Sequence, residues 1–126
     1  MYKKLFIPGP THVREEILAA QTALMLGHRS TDYSDLQAEV TPKLQKLLYT
    51  EQPVFLYACS GTGVMEGAIR QAVQKRALVT VCGAFSSRWY ELTVANGVPV
   101  DRIDVEPGQG FTPDMVDQAL SRGDYD

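Results

Sequence analysis

The chain has 126 residues, 44% of them hydrophobic, 21% charged and 9% aromatic, as expected of a globular chain with one modest core. A net charge of −3, with no local cluster of Lys or Arg, argues against a nucleic-acid partner. The longest uncharged apolar run, residues 54–59, is too short to cross a bilayer, so no membrane partner is expected.

The start of the chain, Met1-Tyr2-Lys3-Lys4-Leu5-Phe6-Ile7-Pro8, opens like a signal peptide. Pro8 and Gly9 stop its apolar run after three residues, so no h-region forms. Residues 5–11 read as a short extended arm closed by a Pro-Gly-Pro turn. Helical spacing of Val13, Ile17, Ala20 and Leu24 predicts a helix over 14–24, with Glu15 and Glu16 where the dipole favours acids. Gly27-His28-Arg29-Ser30 breaks it. A second helix is predicted over 32–49, with Thr31 as N-cap and a kink or division near Thr41 caused by Pro42.

After Pro53 the period changes. Residues 54–58 form a near-continuous apolar run, the pattern of a strand covered on both faces. A helix is predicted over 64–75, a buried strand over 77–81 and a helix over 86–95 with Gly97 as its C′ residue. A more alternating strand follows over 98–105. Thr112-Pro113 opens a last helix that ends at Gly123. The closing residues 123–126 read as a turn into a further strand. Alternation of strand and helix predicts an α/β layer on a parallel sheet. Residues 1–50 form an N-terminal arm with helices, and residues 51–126 an incomplete α/β domain.

Ligands of open parallel sheets bind beyond the carboxyl ends of the strands. Ser60-Gly61-Thr62-Gly63 sits there, between a predicted strand and a helix. Two residues without Cβ, free N–H groups and two hydroxyls suit a phosphate, though a tight turn with a Ser or Thr cap would look the same. The spacing is neither that of Walker A nor GxGxxG. Gly83-Ala84-Phe85-Ser86-Ser87-Arg88-Trp89 follows the next strand. Phe85 could form a platform for a ring, or it could be a core aromatic; Arg88 could hold an anion or be a surface charge. His28 and Arg29 could bind a carboxylate or phosphate, or stand in a solvated loop. Cys59 and Cys82 fall near strand ends, form no metal-ligand or CxxC pattern, and are expected to be buried structural residues. So few cysteines cannot staple a secreted mini-domain, and a cytoplasmic location is expected.

Four of these segments together resemble the N-terminal part of the class V aminotransferases, pyridoxal-5′-phosphate (PLP) enzymes of fold type I. Ile7-Pro8-Gly9-Pro10-Thr11 is similar to the family's PGPT opening. Gly27-His28-Arg29-Ser30 is similar to its GHR-type loop. Ser60-Gly61-Thr62-Gly63-Val64-Met65-Glu66 is similar to its SGT-x-x-(M/W)-E turn, and Gly83 to Trp89 to its G-x-F-x-x-R/L-W turn. The resemblance lies nearest the serine–glyoxylate, alanine–glyoxylate and archaeal phosphoserine-type branch.

It implies a three-layer, PLP-transferase-like large domain, present in part. It implies that Ser60, Gly61 and Thr62 hold the cofactor phosphate and that Phe85 stacks on its ring. Gly9, Gly27, His28 and Arg29 match segments that line the substrate side of an active site shared in a homodimer. Partners would be a small amino acid (serine, alanine or phosphoserine type) and a 2-oxo acid such as glyoxylate. The lysines here are Lys3, Lys4, Lys43, Lys46 and Lys75, none in the family's catalytic context. The Schiff-base lysine is therefore expected beyond residue 126, and this stretch alone is expected to be inactive. The rival readings are a PLP-dependent lyase or desulfurase relative, and a non-catalytic anion-binding α/β module.

Overall fold

A computed structural model describes residues 3–126, so Met1 and Tyr2 of the signal-like opening lie outside the described residues. The chain forms two compact units, Met1–Phe55 and Leu56–Asp126.

In the first unit the arm over 5–11 is irregular, with a cis bond between Gly9 and Pro10. Helix α1 is short, Glu15–Ala20, ending well before the predicted boundary at 24. Leu24, which periodicity put on its apolar stripe, stands exposed in the segment beyond it. Helix α2 spans Thr31–Leu47. Its N-cap is Ser30, not Thr31: the Ser30 hydroxyl accepts from Tyr33 N at 3.3 Å. The helix runs through Pro42 undivided, because only the one bond that Pro42 cannot donate is lost in 17 residues. It closes in a Schellman arrangement. Thr50 N donates to Gln45 O at 3.0 Å and Tyr49 N to Lys46 O at 3.4 Å, which puts Tyr49 at φ 52°.

The second unit holds helix α3 (Gly61–Ala72), strand β1 (Ala77–Val81), helix α4 (Ala84–Ala95), strand β2 (Val100–Asp104) and helix α5 (Pro113–Leu120). β1 and β2 pair in parallel, Ala77 opposite Val100 through Val81 opposite Asp104. α4 is the crossover between them and packs on both strands and on α3. Ile69, Ala77, Val81 and Thr93 form the buried centre. Thr93 is buried because its hydroxyl donates to Trp89 O at 2.7 Å, one turn back. Arg102 of β2 lies over the Tyr90 ring of α4, 5.0 Å from its centroid, and also pairs with Asp104. Gly97, at φ 71°, follows α4 as the predicted C′ residue, and Thr112 caps α5 by accepting from Met115 N.

Two expectations for this unit are corrected. Residues 54–58 form no strand, and Phe55, Leu56 and Tyr57 are exposed rather than covered on both faces. A strand exists only through a neighbour's ladder of hydrogen bonds, and no described strand pairs with this run. Helix α3 ends at Ala72 rather than 75. The amides that would continue it are taken by a carboxylate from the far end of the chain: Asp126 accepts from Gln74 N at 2.9 Å, Lys75 N at 2.8 Å and Arg76 N at 3.1 Å. These bonds, with that from Lys75 first, hold the Asp126 carboxyl below its ordinary range. Beside it, Asp101 receives the Tyr125 hydroxyl at 2.9 Å and Arg76 at 3.0 Å, and both bonds lower its pKa. Odd-numbered residues of β1 turn their backbone toward β2, as Ala77 N to Pro99 O and Val105 N to Val81 O show. Asp126 N donates to Arg76 O, so the tail docks along the other edge of β1.

Candidate cofactor site

Ser60, Gly61, Thr62 and Gly63 do not form a loop before α3; they are its N-terminus. Ser60 is the N-cap, in extended conformation, and Gly61 is the first helical residue. Helix geometry therefore leaves the N–H groups of Gly61 and Thr62 without an intrahelical acceptor. Among the described residues, Gly63 N donates to Ser60 O at 3.0 Å, while no backbone acceptor is found for the Gly61 and Thr62 amides. The Ser60 hydroxyl makes no cap bond, so it remains available to a ligand. A Cβ on Gly61 would meet nothing within 4 Å, so the space beside its Cα is open. A Cβ on Gly63 would instead meet Cys59 Cβ and Sγ at 3.2 Å, so Gly63 lets the first turn close on Cys59.

No acid lies in the first turn of α3 to oppose an anion. Glu66, one turn on, is paired with Arg70 at 2.8 Å and 3.0 Å. Unused amides, two hydroxyls, open space and a helix of twelve residues behind them are the chemistry of a phosphate seat. The residues present fit the phosphate of PLP.

Phe85 lies in the first turn of α4, directly after the carboxyl end of β1, and its ring is 81% exposed. It is not a core aromatic. α4 and α3 pack on each other, so the helix bearing this ring is neighbour to the helix that begins at Gly61. Arg88 pairs with Glu91 at 3.4 Å on the α4 surface, which spends its charge within the helix. Cys59 and Cys82 are free and exposed, against the expectation of burial. Cys59 sits in irregular chain before α3, and Cys82 where β1 leaves its partner, so no layer covers either.

The other expected residues lie in the first unit. Gly9 is exposed, and a Cβ added there would meet nothing within 4 Å. Gly27 O accepts from Ser30 N at 2.9 Å, closing a tight turn. His28 and Arg29 occupy its corner, exposed, just ahead of the Ser30 cap of α2. Sequence reasoning missed Ser86, whose hydroxyl bonds back to the end of β1, and the tail carboxylates. A Ser three residues into a helix is a recognisable capping position; nothing local marks Asp126.

Among the described residues no three His, Cys, Asp or Glu side chains gather as a metal site, and no helix is long and apolar enough to cross a membrane.

No family model matches the chain. It is 37% identical over 124 residues to an uncharacterized aminotransferase of Methanocaldococcus jannaschii, covering 97% of this chain and 32% of that protein. It is 39% identical to a protein named as the soluble hydrogenase 42 kDa subunit of Anabaena cylindrica, covering 92% of this chain and 31% of that one. It is 30% identical to the serine–glyoxylate aminotransferase of Methylorubrum extorquens, covering 92% and 30%. The solved alanine–glyoxylate aminotransferase of a Nostoc species superposes with a TM-score of 0.81 at 25% identity, over 97% of this chain and 35% of that one. The chain thus spans about a third of the length of the relatives it matches. In sequence and in fold, it fits the N-terminal part of a class V aminotransferase, one of the PLP enzymes of fold type I.

Proposed function

We propose that this chain supplies the phosphate seat and ring platform of a PLP-dependent aminotransferase that moves an amino group from a small amino acid to glyoxylate or another 2-oxo acid. The observation that carries the reading is the first turn of α3, where the Gly61 and Thr62 amides have no intrahelical acceptor, the Ser60 hydroxyl makes no cap bond and the space beside the Gly61 Cα is open. When bound, PLP supplies an electron sink for the bonds to the α-carbon of an amino acid. The residues here do the holding. Ser60, Gly61 and Thr62 donate to the phosphate, with the α3 dipole favouring its negative charge. Phe85 offers the face of its ring to the pyridine. His28 and Arg29 stand uncommitted at an exposed turn, where Arg29 would grip a substrate carboxylate in bidentate fashion.

No lysine of this chain lies in the α3 or α4 first turn, so the proton-transferring base is assigned to residues outside it. This stretch alone is then inactive. Relatives named for serine, aspartate and alanine as donors, all with glyoxylate, support glyoxylate as acceptor. The reading includes a homodimer, supported by exposed apolar side chains in the first unit such as Phe6, Leu24 and Met25, and a cytoplasmic location. The test is amino transfer by the protein at its natural length, offered serine, alanine or aspartate with glyoxylate. Transfer from one of them, lost in Gly61→Val, is the expected result. PLP uptake without transfer from any donor would overturn the aminotransferase reading.

A further inference from the structure

An aromatic side chain that serves as a platform has to be held still without being buried, because a ring that wanders loses part of its stacking energy to ordering on each binding event. Phe85 is 81% exposed, so packing does not hold it. The turn that carries it is held by the next residue. Ser86 Oγ accepts from Cys82 N at 2.9 Å and donates to Gly83 O at 2.9 Å. One hydroxyl thus ties the end of β1 to the first turn of α4, with Phe85 inside the closed loop. Gly83, the N-cap, has no side chain to do this, and Ser87 is turned away to Glu91 at 3.3 Å. The turn is also crossed by Ser87 N to Gly83 O at 2.9 Å, an ordinary helical bond, and by a contact of Ser86 Oγ with Cys82 Sγ at 3.9 Å.

We propose that Ser86 is the positioning residue of the Phe85 platform: its hydroxyl fixes the β1–α4 turn so that the ring presents one face to a flat, phosphate-bearing aromatic ligand. The assignment rests on the cofactor reading above. Ser86 acts through Phe85 and its effect depends on that ring being present.

The probe is pyridoxine 5′-phosphate, which has the ring and phosphate of PLP but no aldehyde, and so forms no imine with the lysines. Its binding to the chain is read by fluorescence quenching of Trp89, the single tryptophan, one helical turn from Phe85. Ser86→Ala is expected to weaken pyridoxine 5′-phosphate about three- to tenfold, the size of an aromatic pairing effect. The same variant should hold inorganic phosphate as wild type does, and Ser86→Thr should restore the probe. In a Phe85→Ala background, Ser86→Ala should change nothing further. Should Ser86→Ala not fold, Ser86→Cys keeps the volume with weaker bonds and carries the same comparison. Wild type that binds the probe while Ser86→Ala binds it equally well overturns the assignment alone, as would additive losses in the double variant. Wild type that never binds the probe overturns the cofactor reading, and Ser86's role with it.

Discussion

Adding one methyl group at Gly61 should separate folding from ligand binding, because the two respond in opposite directions. Gly61 is the first helical residue of α3, its φ is not in the left-handed region, and a Cβ there meets no atom within 4 Å. Gly61→Ala therefore introduces no clash in the protein. It removes backbone freedom from the unfolded chain, which stabilises by roughly 0.4–1 kcal/mol. A phosphate seated on the Gly61 and Thr62 amides would lie close to the Gly61 Cα, and the methyl crowds it. A hydrogen bond to a charged group is worth about 1.5–3 kcal/mol, so losing one weakens binding by roughly ten- to a hundredfold. Gly61→Val should lose more than Gly61→Ala. Ser60→Ala should lose less than Gly61→Val, because Ser60 gives up one hydroxyl donor and no cap bond. The assay pairs a thermal melt with titration by pyridoxine 5′-phosphate. A Gly61→Val chain that melts normally and holds the probe as tightly as wild type would refute the phosphate seat and leave an ordinary helix start.

Tyr49 holds a left-handed conformation at φ 52° while its side chain is 98% exposed, so Tyr49→Gly should stabilise the first unit by roughly 0.5–1 kcal/mol in a denaturant titration. Ile69→Ala in α3 should destabilise the second unit by about 2–4 kcal/mol, since Ile69 is among its few buried side chains. Gly123→Ala should move Tyr125, whose ring atoms lie 2.8 Å from the new Cβ, and so detach its hydroxyl from Asp101; a lowered tyrosine pKa in an alkaline absorbance titration would report it. Asp101 and Asp126 have folded-state pKa values below their unfolded ones, so the stability they contribute is present above the ordinary carboxylate range, about pH 4, and is lost as pH falls through the folded values. Tyr125 is raised, chiefly by its bond to Asp101, so its contribution is present below about pH 10 and is lost as pH rises through the folded value. Melts of wild type and Asp126→Asn across acid pH should converge as the wild-type carboxylate protonates.

Much of the fold was legible because it is set by near neighbours in the chain. The 77–81 strand emerged with its predicted bounds, since Ala77, Leu78, Val79 and Val81 with the β-branched Thr80 make a short near-continuous apolar run between Arg76 and Cys82. Thr112 with Pro113, and Gly97 after α4, were readable because caps are chemistry between residues three or four apart. Ser60-Gly61-Thr62 was legible as a small-residue turn ahead of a helix because its signal is local, and the structure makes it the start of α3. What local pattern misjudged was anything decided by a distant partner. Residues 54–58 have the composition of a buried strand, yet a strand needs a ladder, and no described strand offers one. Cys59 and Cys82 have the character of buried residues, yet burial requires a covering layer. The end of α3 is set by Asp126, more than fifty residues away, whose carboxylate accepts amides that the helix would otherwise have used. Periodicity reports which face of an element is apolar; only the tertiary structure decides which hydrogen-bond acceptor reaches a given amide first.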